Sequence, residues 1–237
     1  VPTDTMKNFV LSSALEFGGS SLEGLLDFLA RRFLESYPSM ESVMLSGTEL
    51  PFVNATVPSA AGFAGSQVLF GRANDDRAVA SLTRGTASGI TDHRCGRTGL
   101  QLIKLTGSSF ESFAADRYTT LKEVRDRPLF IYVDVYWRYV DPAAAFGTDT
   151  YVPSEQVRDL IQTVFHEFVS KSIQHLVYEM GQRLLARFAQ LIEVSFEAQN
   201  RLWDTAFTSS DDPARRVYCD PRPPYGSIGL TLRRDDG

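Results

Sequence analysis

The sequence predicts an α+β fold, antiparallel sheet with helices laid on one face. Three observations predict it. Leu129, Ile131, Val133, Val135 and Trp137 alternate with Tyr132, Asp134, Tyr136 and Arg138, and Ile192, Val194, Phe196 and Ala198 alternate with Glu193, Ser195, Glu197 and Gln199. That period of two marks sheet with one buried and one wetter face. Between these strands lie two apolar stripes at helical spacing, and a similar order of elements recurs earlier in the chain. Strands and helix pairs that do not alternate one for one give α+β rather than α/β.

The first helix pair spans 5–17 and 20–37. Ser20 with Glu23 makes a capping-box signal. Leu22, Leu25, Leu26, Leu29 and Phe33 make the stripe, and Pro38 ends it. Strands follow near 41–50, 66–72 and 77–84, separated by Gly and Ser. A second unit starts at Leu100, dividing the chain into 1–99 and 100–237. Leu100–Leu105 reads as a strand and Pro128–Val140 as a longer one. About thirteen residues at roughly 3.3 Å each span about 43 Å, which suits a large barrel.

Residues 154–170 then carry Val157, Leu160, Ile161, Val164, Phe165 and Phe168 on one helical face. Residues 172–188 carry Leu176, Val177, Met180, Leu184 and Phe188. After the strand near 192–199, Pro221, Pro223 and Pro224 break the chain before a last strand at 227–234. The second unit therefore reads strand-strand-helix-helix-strand-strand. The first reads helix-helix-strand-strand, as if lacking its opening strand pair. Exposed sheet edges must be covered or paired, which edge-to-edge joining of such units across subunits into a closed barrel achieves.

The 237 residues suffice for one large domain or two small ones. Twenty-four basic against twenty-nine acidic residues give a net charge of −5. That argues against nucleic acid as a partner, because binding a polyanion rests on a basic surface. A small anion needs only one well-placed arginine. No apolar run is long enough for a membrane-spanning helix. The start, Val1-Pro2-Thr3-Asp4, lacks a secretory pattern. The end, Arg233-Arg234-Asp235-Asp236-Gly237, is neither a prenylation box nor a peroxisomal tripeptide. Cys95 and Cys219 have no metal or redox spacing, so a reducing cytoplasm is the simplest expectation.

The segment Lys104–Arg127 holds the candidate chemistry. A strand enters a Gly-Ser turn, passes polar, aromatic and Thr-Thr-Leu residues, and ends on an arginine ahead of a long apolar strand. A plain reading makes Asp116–Asp126 a helical turn capped by Thr120 and Glu123. Phe110 and Phe113 are then core, and Arg127 pairs with Asp126 or Glu123. A functional reading makes the joint a binding wall. Elsewhere His93-x-Cys95 is a fragment of a metal motif with no second half nearby. His166 and His175 fall on neighbouring helices. No Gly-rich phosphate loop opens a helix and no nucleophile elbow is present.

Four further segments fall in a known order. Thr3-Asp4-Thr5-Met6-Lys7-Asn8, Ser172-Ile173-Gln174-His175, Gln199-Asn200 and Pro223-Pro224-Tyr225-Gly226 stand with Lys104–Arg127 and Trp137-Arg138-Tyr139. Together they resemble the cofactor-independent urate oxidases, or uricases, over essentially the whole chain. The resemblance implies the tunnelling fold (T-fold): a homotetramer enclosing a tunnel, with active sites at subunit interfaces.

It also implies roles for residues. Arg127 matches an arginine whose planar fork grips the urate anion. Gln174 matches a glutamine that grips another edge with both a donor and an acceptor. Phe110 matches the stacking phenylalanine, and Leu121 and Ile173 match apolar and backbone contacts. Thr3, with a part in proton movement, and Asp4 come from the neighbouring subunit. Asn200 matches the asparagine that holds dioxygen or water above the ring. The implied reaction uses dioxygen as co-substrate and no cofactor or metal, and yields 5-hydroxyisourate and hydrogen peroxide.

Two departures stand against the family pattern. The N-terminal lysine that works with the matching threonine is absent, as is the opening strand pair, and the sequence is expected to lack an N-terminal segment of the polypeptide. Lys7 belongs to the Thr-Asp segment and does not replace that lysine. Leu202 stands where many members have a histidine that completes a proton relay, and the adjacent Arg201 is a poor base. A non-catalytic purine-binding or structural barrel is the alternative these departures motivate. An enzyme of the same fold class acting on pterins is a further one, without a His/Cys constellation to support it.

Overall fold

A computed structural model describes residues 1–72, 74–120, 122–147 and 149–234. The expected contact residue Leu121 and the C-terminal 235–237 lie outside the described residues. The chain divides into two compact units, Val1–Gly99 with Asp141–Tyr151, and Leu100–Val140 with Val152–Gly237.

In the first unit, α1 (Thr3–Ala14) and α2 (Leu22–Ser36) precede β1 (Ser42–Thr48), β2 (Phe52–Ser59), β3 (Gly62–Arg72), β4 (Arg77–Gly85) and the start of β5 (Gly89–Lys104). The α1 helix begins and ends earlier than its apolar spacing predicts. Phe17 lies past its end and packs on Phe28, with ring centroids 5.6 Å apart. The cap of α2 is Ser21 rather than Ser20: its side chain accepts a hydrogen bond from Gly24 N at 3.1 Å. Capping depends on which hydroxyl stands one residue before the first helical turn, and two adjacent serines leave that open in sequence.

The β1, β4 and β5 strands pair antiparallel, in a register that sets Leu45 opposite Leu82 and Ala80 opposite Cys95. Leu26 and Ala30 of α2 pack with Ala80 and Leu82 to form this unit's core. Two buried carboxylates are paired, as burial of a charge requires. Asp27 accepts from Arg84 at 2.6 Å, and Asp76 from Arg97 Nε at 2.9 Å. The β2–β3 hairpin is a separate two-stranded ribbon. Phe63, Val68 and Phe70 of that ribbon are exposed. Without a buried face the ribbon has no alternation to betray it, so the sequence shows only part of it.

The second unit contains the end of β5, then β6 (Leu129–Tyr139), α3 (Ser154–Glu167), α4 (Ile173–Arg187), β7 (Leu191–Asn200), β8 (Asp204–Thr208), β9 (Arg216–Cys219) and β10 (Gly226–Arg233). The β7 strand pairs antiparallel with β6 on one side and β10 on the other. Burial alternates residue by residue along β6, as its sequence predicts. On β7 the expected alternation fails at one end. The register shifts between Arg138 and Tyr139, so Leu191 takes the buried place and Ile192 is only half-buried. A bulge turns the following side chains over.

The α4 helix packs on β7 and β10, and α3 on α4. The close approach falls at Gly181, where an added Cβ would lie 2.6 Å from Leu232 Cδ1 and 3.2 Å from Phe196 Cε2. Helices on one face of an antiparallel sheet make the fold α+β, as expected. The short β8–β9 hairpin escapes sequence reading because every residue of β8 is exposed.

Candidate active site

Lys104–Arg127 does not form the capped helical turn of the plain reading. It folds as a loop held at both ends. Gly107 adopts φ +75, a left-handed conformation that glycine reaches without strain, and turns the chain. Asp126 holds this turn from across the loop: its carboxylate accepts from Thr106 Oγ1 at 2.6 Å and from Gly107 N at 2.7 Å. These bonds, led by that of Thr106, hold the Asp126 carboxyl below its ordinary pKa.

Arg127 N donates to Ser108 O at 2.9 Å. Phe110 and Val124 exchange backbone hydrogen bonds at 2.7 and 2.9 Å, tying the two ends of the loop face to face. Between them Ser112 takes φ 60, an uncommon conformation for a residue with a Cβ, and its N donates to Glu123 Oε1 at 2.9 Å. Glu123 thus caps a backbone amide rather than pairing with Arg127.

The same loop is fastened to the segment between α3 and α4. Lys104 Nζ donates to Phe168 O at 3.1 Å, and Ser109 N donates to Ser170 O at 2.9 Å. Burial pushes the Lys104 ammonium pKa down. Two residues on, Ser172 caps α4, accepting from His175 N at 3.1 Å. The amides of Ile173 and Gln174 are therefore in the first turn, where a helix lacks internal partners for its N–H groups and carries partial positive charge.

These pieces surround a cavity of about 520 Å³ in the second unit. The loop contributes Phe110, Lys122, Val124 and Arg127, and the start of α4 contributes Ser172, Ile173 and Gln174. Asn200 comes from the end of β7, Leu202 from the chain just after it, and Gly226, Ser227 and Ile228 from β10. Of the residues named from sequence, Phe110, Arg127, Ile173, Gln174 and Asn200 share this wall. Thr3 and Asp4 open α1 in the first unit and are exposed, and Asp4 Oδ2 accepts from Asn8 Nδ2 at 3.2 Å.

Lys122, Val124 and the β10 residues were not read as site residues. Lys122 directly follows the Thr-Thr-Leu run, and Gly226 follows the Pro-Pro-Tyr run. Those positions are the available signals. Gly226 reaches the site because its register partner on β7 is Asn200.

The cavity's chemistry is one-sided. Arg127 and Lys122 supply two cations, and no carboxylate is among the described lining residues. Phe110, Val124, Ile173, Leu202 and Ile228 supply apolar surface. Arg127 is half-buried, and burial pushes its guanidinium pKa down. Its Nε is buried without a hydrogen-bond partner, as is Asn200 Oδ1. An unpaired donor and an unpaired acceptor in one cavity are open to a ligand or to water. Among the described residues no group of three or more His, Cys, Asp or Glu is placed to hold a metal ion. Two cations, side-chain amides and apolar surface suit a small anion with hydrogen-bonding groups.

Fold and site together define a tunnelling-fold protein with a pocket lined by two cations, Lys122 and Arg127. The uricase family profile matches residues 93–229. The uricase of Halalkalicoccus jeotgali is 43% identical, over all of this chain and 78% of that protein. The uric acid degradation bifunctional protein of Bacillus sp. (strain TB-90) is 40% identical over all of this chain, which spans only 48% of that longer protein. A crystal structure of Bacillus sp. TB-90 urate oxidase superposes with a TM-score of 0.93 at 40% identity, covering 99% of this chain and 79% of that one. The chain belongs to the uricase family.

Proposed function

We propose that this chain carries the catalytic site of a urate oxidase. The unpaired Arg127 Nε and Asn200 Oδ1, in one cavity with no carboxylate among its described lining residues, are the observation that carries the reading. Urate is a planar anion whose edges present both donors and acceptors. Arg127 meets one edge with its fork and Gln174 another with its amide. Ile173 contributes a backbone N–H at the start of α4. Phe110 lies under the ring, and Leu121 matches the family's apolar contact. Asn200 holds dioxygen, then water, over the other ring face.

In the reaction urate gives one electron to dioxygen; the urate radical and superoxide then join through a C5–O bond, and a proton released by urate completes the 5-hydroperoxide. Water then adds at C5 as hydroperoxide leaves and takes up a proton. Urate, dioxygen and water thus become 5-hydroxyisourate and hydrogen peroxide. The electrons pass directly from urate to dioxygen, so no cofactor is required. The protein's part is orientation, anion stabilisation and proton movement.

The active assembly is a homotetramer in which Thr3 and Asp4 of a neighbouring copy complete each site, with Thr3 moving protons. The chain works in the cytoplasm. No helix of the described residues is long and apolar enough to cross a membrane.

The test is a urate assay in buffer containing chelator, following ultraviolet absorption, dioxygen and peroxide together. Loss of one urate with one dioxygen and one peroxide supports the reading. Thermal stabilisation by urate without turnover favours a non-catalytic binding protein instead.

A further inference from the structure

We infer that Arg201 is a positioning residue for Asn200, acting through a cation clamp on Tyr225; this rests on the urate oxidase reading of the same site. Asn200 and Leu202 line the cavity, and Arg201 stands between them. Its guanidinium carbon lies 4.4 Å from the Tyr132 ring centroid and 3.5 Å from that of Tyr225. Its Nη2 donates to Gln199 Oε1 at 2.6 Å, and its backbone N donates to Phe130 O at 2.8 Å.

The strand register explains the arrangement. Gln199 is the partner of Tyr132 on β6. Alternation puts Gln199 on one sheet face and Asn200 on the other, with the buried Ala198 and Phe196. Arg201 continues the Gln199 face, so its side chain leaves the cavity for the aromatic cluster behind the wall. That cluster also holds Phe130, whose ring is 5.4 Å from Tyr132 and 6.0 Å from Trp203.

The clamp joins three chain segments whose ends shape the pocket. Tyr132 belongs to β6, Arg201 directly follows β7, and Tyr225 directly precedes Gly226, the register partner of Asn200. Tyr225 is itself anchored, its hydroxyl donating to Pro221 O at 3.2 Å. Holding Tyr225 against Arg201 holds the Gly226–Ile228 wall against Asn200. The Asn200 carboxamide has no hydrogen-bond partner for Oδ1 to fix it, so its aim depends on the backbone. A cation between two aromatic faces is among the stronger non-covalent ties at a desolvated site. Urate is gripped by Arg127 and Gln174 on other elements, so the clamp bears on the dioxygen step more than on urate binding.

The experiment compares wild type with Arg201→Met, Arg201→Lys, Tyr225→Leu and Tyr225→Phe. It measures kcat and, without dioxygen, the urate Kd. Expected is a fall in kcat of at least about tenfold in Arg201→Met and Tyr225→Leu, since small misplacement of a reacting group has effects of this order. Urate Kd stays within about twofold of wild type. Arg201→Lys recovers part of the loss and Tyr225→Phe most of it, because each keeps the cation–ring contact. The Met–Leu double variant is no worse than the single ones, as expected for residues that act as a unit. If Arg201→Met does not fold, Tyr225→Leu against Tyr225→Phe decides alone. Near-wild-type kcat in the folded Arg201→Met or Tyr225→Leu variant overturns the inference, as does a urate Kd that weakens in step with kcat. A wild-type chain that binds urate without turnover defeats the urate oxidase reading, and this inference with it; a turning-over wild type with indifferent variants defeats this inference alone.

Discussion

The Arg127 guanidinium carbon lies 4.8 Å from the centroid of the Phe110 ring. The Phe110 ring also stacks on Phe113, with centroids 4.5 Å apart and planes at 22°. The proposed anion-gripping cation and the proposed stacking ring are thus in contact with each other. The backbone bonds from Arg127 to Ser108 and between Phe110 and Val124 fix this neighbourhood.

Arg127→Ala should weaken urate binding most among the variants of this site. A hydrogen bond to a charged group contributes about 1.5–3 kcal/mol, so the urate Kd should rise about 10- to 100-fold. Arg127→Lys should not restore it, because an ammonium cannot make the two-pronged contact. The check is anaerobic urate titration.

Gln174→Ala removes a neutral amide from an exposed position. The expected loss is about 0.5–1.5 kcal/mol, or at most about tenfold in KM. The melting temperature should not move. Ser172→Ala should do the converse, lowering stability by about 1 kcal/mol through loss of the α4 cap. Steady-state kinetics beside thermal unfolding separates the two.

Asp126→Asn probes the turn that carries Arg127. The Asp126 pKa is depressed in the folded chain. Its contribution to stability is therefore complete above the unfolded carboxylate value of about 3.9 and is lost as pH falls through the lower folded value. Wild type should lose this increment only in acid, whereas Asp126→Asn should lack it at neutral pH and show a flatter stability profile below about pH 4. Urea unfolding across that range reads the difference, and parallel profiles would contradict it.

Tyr139→Phe tests the core at the end of β6 away from the site, since Ile131 pairs with Asn200 and Tyr139 with Leu191. The buried Tyr139 hydroxyl accepts from Val152 N at 2.9 Å. Phenylalanine leaves that buried N–H unpaired, and the expected destabilisation is about 1–3 kcal/mol. Chemical denaturation should show it with KM for urate unchanged.

Much of this architecture was legible because burial writes a period into sequence. The β6 alternation and the stripes of α3 and α4 read correctly for that reason. The β2 and β8–β9 ribbons bury no continuous face, so nothing in their residues repeats. The bulge beside Leu191 shifted one face by a residue, which composition does not record. In the site, Arg127, Gln174 and Asn200 were named from motifs far apart in the chain. Their shared cavity depends on register, notably Asn200 against Gly226. The roles of Asp126 and Arg201 were invisible in sequence, because a charged residue beside a motif looks the same whether it clamps a turn or faces water.

The most direct measurement is a crystal structure of the chain with urate, grown without dioxygen. The account predicts the flat ring in the cavity, over Phe110, with its edges on Arg127 and Gln174 and Asn200 above the opposite face. Urate bound elsewhere, or in the cavity without contact to Arg127, would contradict it.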